Sequence, residues 1–266
     1  MLLYLRELFV AKKSLLIWTM CLAGLMFLCM AMFPSFSSGP EMNINDMLEA
    51  FPEEMRKGFG MMGLDLTQPM DFFVYVYPYV VVAAAIWGAM MGATVLGKEE
   101  GEKTIEFLYA KPVTRNYIFL AKLCAVVSEL LLFGLFFYGI NVLGFAAFAG
   151  GAYDARLLLL LTLAIVLIML IFMGFGFLLS VFVVKARQVM PAALGAGLGF
   201  YMLSILANIK DEWTWLAYLI PYKYFEGGKI LRDGGLEAKF VILALGIVAV
   251  CLGSAWMIYR RKDILT

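Results

Sequence analysis

The sequence contains no histidine. That removes zinc intramembrane proteases of the H-E-x-x-H type, Ser-His dyads and haem ligation by His. Charge is also scarce: Asp, Glu, Lys and Arg make up 15% of the 266 residues, against 64% hydrophobic and a mean hydropathy of +0.90. No soluble domain holds such a composition in water, so the chain belongs in a bilayer. The four cysteines, Cys21, Cys29, Cys124 and Cys251, all fall inside apolar runs. With none in the larger loops, no disulfide framework is indicated, and they read as packing residues. Alternation of apolar and polar residues over about 10 positions, the mark of a β-barrel, is missing too. Low-complexity tracts and internal repeats are not seen, and no stretch could build a soluble nucleotide-binding domain.

What remains is apolar and long. A helix needs about 20 mostly apolar residues to cross the hydrocarbon core, and six stretches meet that length: 14–33, 72–97, 123–150, 157–184, 189–209 and 240–259. The expected fold is therefore an all-α membrane protein with six transmembrane helices in one domain. The first stretch is too long for the h-region of a signal peptide and no A-x-A site follows, so it reads as a retained span. Residues 1–13 place Leu2, Leu5, Leu8 and Phe9 at helical spacing beside Arg6, Lys12 and Lys13. They suit a helix lying in the interface before the first span, or an extension of that span.

Lys and Arg near span ends stay in the cytoplasm. Thirteen basic residues fall on the side of the termini and eight on the other, whereas thirteen acids fall opposite and six on the terminal side. Both termini are expected to be cytoplasmic. Two extracytoplasmic segments result, 34–71 and 210–239, with one sizeable cytoplasmic loop, 98–122. In the first segment Asn45 could cap a short helix over 46–51. The second is rich in aromatics (Trp213, Trp215, Tyr218, Tyr222, Tyr224, Phe225), which favour the headgroup layer, and is expected to dip partly into the membrane. Gly88 and Gly92, and again Gly195 and Gly199, are spaced for close helix approach, either within one subunit or between two.

Sites for chemistry are few. An intramembrane aspartyl protease needs two facing carboxylates, yet the spans hold no Asp and a single Glu, Glu129. Residues 97–104 come within one position of a phosphate-cradling loop, but Glu102 replaces its second Gly and no β-strand precedes it, which argues against ATP binding by this chain. Glu129, about 10 Å of helix rise beyond Lys122, is a candidate for a translocation path by virtue of its depth. The competing reading is a carboxylate hydrogen-bonded to a neighbouring helix or to a crevice near the inner face. Asn141, on the same helix, is the second polar candidate.

The cytoplasmic loop carries the most pattern. Residues 102–110 can form a short helix that Pro112 ends, and Thr114 is placed to cap the helix of the third span. Within the loop and its borders stand Glu99, Glu100, Glu102, Thr104, Glu106, Leu108, Pro112, Thr114, Arg115 and Lys122. This order of acidic stretch, Thr, Leu-containing turn, Pro-x-[Ser/Thr]-Arg and following Lys resembles the ABC-2 type transporter permease family. So do the six-span layout, the Leu219-Ile-Pro-Tyr-Lys-Tyr-Phe225 stretch and the closing Tyr259-Arg-Arg-Lys-Asp263. Lys103 departs from the pattern, where Gly is expected.

The resemblance implies a permease in the cell membrane of a bacterium or archaeon that is not itself an enzyme and binds no nucleic acid. Through Glu99, Glu100, Glu102, Thr104, Glu106, Leu108, Pro112, Thr114 and Arg115 it would engage separate cytoplasmic ATP-binding subunits, which hold the ATP and Mg. It would pair with itself or with a similar permease, and export its cargo. Two rivals from other classes are a lipid-modifying membrane enzyme and a non-transporting sensor or assembly partner.

Overall fold

The structure, a computed structural model, describes residues 2–37, 45, 48, 50–96, 114–182, 186–209 and 211–261. Its helices are α1 (Leu2–Ser37), α2 (Glu53–Gly58), α3 (Pro69–Val95), α4 (Arg115–Phe148), α5 (Ala155–Phe182), α6 (Ala186–Ile209), α7 (Gly227–Asp233) and α8 (Ala238–Arg261). Short 3-10 turns cover Asp211–Tyr218 and Pro221–Lys223 between α6 and α7. Six of the helices (α1, α3, α4, α5, α6 and α8) are long and apolar enough to cross a membrane. This is the all-α, six-span architecture expected from the apolar runs.

Two boundaries differ from expectation. Residues 2–13 do not form a separate helix: α1 runs unbroken for 36 residues and continues through Pro34 near its end. At 1.5 Å per residue it is about 54 Å long, well beyond the roughly 30 Å of hydrocarbon it must cross. Its first turns are fastened to α4, where the Tyr4 hydroxyl and Ser128 Oγ are 2.9 Å apart. The second is the start of α4: the apolar run expected from 123 is preceded by helix from Arg115, as the expected cap at Thr114 requires. Its extra turns are helical because Thr114 caps them, Oγ1 accepting from the Tyr117 amide at 3.3 Å.

The helix α5 is central, packed on α3, α8 and α4. Its backbone approaches that of α3 closely, because glycines remove the side chains between them. A methyl group built on Gly92 would lie 2.2 Å from the Met173 carbonyl oxygen, one on Gly88 2.7 Å from that of Met169, and one on Gly176 2.2 Å from that of Ala89. The small residues of the second span are thus used inside the subunit. Gly195 and Gly199 of α6 face open space, with nothing within 4 Å of a methyl at either position. A stack of rings then fastens α1 and α4 to α3. Trp18 lies flat on Trp87 at 5.6 Å, and Phe133 meets Trp87 edge-on at 5.4 Å.

The end of the bundle away from the termini carries the connecting segments. Asn45 Nδ2 donates to Asp65 there and its Oδ1 accepts from the Leu66 amide, while half of the helix expected over 46–51 lies outside the described residues. Bonds from Thr67 and Asn45 hold the Asp65 carboxyl below the ordinary carboxylate range. Further along, α2 lies across the end of α6, where Asn208 Nδ2 donates to the Gly58 carbonyl at 3.0 Å.

The segment between α6 and α8 plunges into the bundle. The Tyr222 hydroxyl donates to the Gly197 carbonyl at 3.2 Å, and its ring packs 5.2 Å from that of Phe172. Gly197 lies twelve residues before the end of α6 at Ile209, so Tyr222 reaches roughly 18 Å below that end. Burial raises the Tyr222 phenol above its ordinary pKa, which keeps the proton on the donor. Tyr222→Phe is expected to cost about 1 kcal/mol, the usual worth of a neutral hydrogen bond, with the ring contact kept. Tyr222→Ala should cost several times more, and thermal melting of the two purified variants in detergent measures the difference.

Candidate functional site

Two places in the bundle gather polar groups, one at each end. At the terminal end, α3 stops at Val95 and α4 starts at Arg115, so the loop between them springs from two feet. Of the coupling residues anticipated from sequence, Glu99, Glu100, Glu102, Thr104, Glu106, Leu108 and Pro112 lie outside the described residues. Thr114 and Arg115 are described, and they form the second foot.

The feet are fastened by cations on α4. Lys122, only 1% exposed, sends Nζ to the Val95 carbonyl at 2.5 Å, in the last turn of α3. Arg115 Nη1 approaches the carbonyls of Tyr259 and Arg260, at 3.5 and 3.4 Å, in the last turn of α8. Helix C-termini carry unpaired carbonyls and a partial negative charge, so each cation addresses the end of a different span. Trp256 Nε1 adds a bond to Asn116 Oδ1 at 3.2 Å, and the Phe119 ring lies between Phe177 of α5 and Tyr259. The first two turns of α4 therefore join the ends of α3, α5 and α8.

Glu129 and Asn141 are both interior, at 6% and 0% exposure. Glu129 stands two turns above Lys122 on the same face of α4 and is not without a partner. Asn141 donates to the Phe137 carbonyl at 2.7 Å, and its Oδ1 meets no donor among the described residues. Neither residue lines the cavity at the opposite end of the molecule.

That cavity, of about 350 Å³, opens between α3 and α6 beneath α2 and α7. Its inner wall is apolar and aromatic, formed by Val81, Tyr77, Ile205, Tyr222 and Phe225. Nearer the connecting segments it is lined by Lys57, Lys229, Arg232 and Glu226, with Asn208 beside them. The Glu226 carboxylate is already engaged at both oxygens, by Lys223 at 2.5 Å and by Lys229 at 2.9 Å. Lys223 is itself buried and also donates to Asn208 Oδ1. Sequence reasoning passed over these residues; the one available signal was a set of cations within segments whose acids outnumber their bases.

Six apolar helices packed by glycine and aromatic contacts, with cations capping helix ends and not gathered for catalysis, define a multi-pass integral membrane protein. A family model described as an ABC-2 family transporter protein matches residues 1–264, and the chain belongs to that family. It is a membrane component of a transporter, as the loop and layout had suggested. Among curated proteins, none matches the chain.

Proposed function

We propose that the chain is the permease subunit of an ATP-driven exporter, with both termini and the 98–115 loop on the cytoplasmic side. Separate ATP-binding subunits, which hold ATP and Mg, dock on the loop through Glu99, Glu100, Glu102, Thr104, Glu106, Leu108, Pro112, Thr114 and Arg115. The permease pairs with a second copy or a similar subunit, and ATP-driven closure of the docked subunits tilts the spans.

The observation that carries this reading is the double fastening of the loop's base. Lys122 holds the end of α3 to α4, and Arg115 holds the end of α8 to the same turns. A push on either foot is thereby shared by three spans, which a loosely attached loop could not do. The surface of α6 around Gly195 and Gly199 leaves room for a second subunit to approach closely.

The test is a gentle detergent pull-down of the tagged chain, with mass spectrometry of its partners and an ATPase assay. An ATP-binding subunit is expected to co-purify, and to be lost when Pro112 and Arg115 are substituted. Glu100→Lys with Glu106→Lys should lower ATPase coupling while membrane insertion stays normal. A preparation free of ATPase, under conditions that preserve other membrane complexes, overturns the proposal.

A further inference from the structure

We infer that the cavity at the end remote from the termini is a binding site for an anionic amphiphile, a molecule with an apolar tail and a phosphate or carboxylate headgroup. Its volume of about 350 Å³ is in the range of small-molecule sites. The chemistry of its walls divides along its length. Val81, Tyr77, Ile205 and Phe225 supply apolar surface to the inner part, beside Tyr201 and Ser204, and this part lies between spans, where an acyl chain keeps its own environment.

The headgroup end is cationic. Lys229, Arg232 and Lys57, the last already paired with Glu53 at 3.0 Å, line it against Glu226. Charge at this end would by chance favour acids, since thirteen acids and eight bases occupy the segments joining the spans here. The lining reverses that balance. Glu226 does not cancel it, because buried Lys223 and Lys229 each take one of its oxygens, leaving two ammonium groups around one carboxylate. Among the described residues Arg232 makes a long contact, 3.5 Å from Nη1 to the Met62 carbonyl, and its planar donor set is suited to bidentate capture of a phosphate or carboxylate.

The backbone also leaves room for a ligand. Gly228 borders the cavity, and a methyl group there would find its nearest neighbour, Arg232 Nη1, at 3.5 Å. Gly227 beside it already touches Tyr77, where a methyl would come within 2.9 Å of the ring. One glycine therefore closes the wall and the next leaves it open. This inference stands on the cavity and its charge, not on docking of ATP-binding subunits, because binding is read on the chain by itself.

The experiment titrates the purified full-length chain in a neutral detergent with three probes: dioctanoyl phosphatidylglycerol, dioctanoyl phosphatidylcholine and inorganic phosphate. Binding is followed by native mass spectrometry and by the shift in melting temperature. The phosphatidylglycerol is expected to bind about tenfold more tightly than the phosphatidylcholine, the scale of one charge-assisted contact. Inorganic phosphate should bind weakly, lacking the tail. Lys229→Gln with Arg232→Gln should remove the preference for phosphatidylglycerol over phosphatidylcholine. Gly228→Leu, which fills the cavity and leaves every charge in place, should weaken binding of the anionic lipid, with the ligand-free melting temperature showing that each variant is folded. Equal affinity for the two lipids, equal affinity for phosphate and phosphatidylglycerol, or wild-type binding by both variants overturns the inference.

Discussion

Gly92→Val is expected to leave almost no folded protein in the membrane, whereas Gly195→Val should be tolerated in folding of the subunit. The reason is the distance between backbones. Even the first carbon of a side chain at Gly92 would stand 2.2 Å from the Met173 carbonyl oxygen and 2.8 Å from the Phe177 nitrogen, so no rotamer relieves the clash. The only remedy is to move α5 away from α3, which would also strain the approaches of Gly88 to Met169 and of Gly176 to Ala89. Overpacking of well-packed cores costs about 1–3 kcal/mol and more when backbones must shift. Three linked contacts on the most buried helix pair put this case beyond that range. Gly195 has nothing within 4 Å, and Val there meets only what surrounds the bundle. Fluorescence size-exclusion profiles of tagged variants read the outcome. Equal recovery of the two variants would show that α3 and α5 do not rely on this approach.

Lys122→Met separates stability from coupling. Met keeps much of the side-chain volume and removes the ammonium that reaches the Val95 carbonyl. Two effects on stability oppose each other. A hydrogen bond from a charged donor is worth about 1.5–3 kcal/mol, while withdrawal of a buried ammonium from a low-dielectric site saves a desolvation cost of several kcal/mol. Removal of the donor also leaves the Val95 carbonyl without it, but the saved desolvation offsets most of that loss, so melting in detergent should move by only a few degrees. Coupling should behave differently, because the link from the loop's first foot to α4 is gone. Substrate-stimulated ATPase of the assembled transporter is expected to fall about tenfold, equivalent to about 1.4 kcal/mol, with Lys122→Arg retaining most of it. If both activity and melting are unchanged in Lys122→Met, the fastening plays no part in transmission.

The six spans were readable because each is an uninterrupted apolar run, and nothing but a helix satisfies its backbone in hydrocarbon. The cap at Thr114 was readable for a similarly local reason. Lys122 was not: a lysine at the edge of an apolar run looks like a solvated flank, and what draws it inside is a carbonyl 27 residues earlier in the chain. Gly88 and Gly92 announced a close approach without naming α5 as its partner. The helical continuity of residues 2–13 with the first span was hidden because a basic, amphipathic stretch has the same pattern whether it lies flat or extends a helix. The cations of the connecting segments were visible but the cavity was not, since Lys57, Tyr77, Tyr201 and Arg232 come together only through the packing of distant segments.

The depth of Tyr222 bears on the order in which the protein is made. Its partners, Gly197 and Phe172, belong to α6 and α5, and the neighbouring Gly227 rests on Tyr77 of α3. All of them are synthesised before it. The segment can therefore dock into a finished receptor as soon as it emerges, ahead of the last span, and α8 enters beside a bundle whose far end is already sealed. A chain truncated after Asp233 would then already hold the Tyr222 contacts, and α8 would add its packing on α5, its Phe240 ring on Tyr224 at 5.3 Å and its carbonyl end for Arg115.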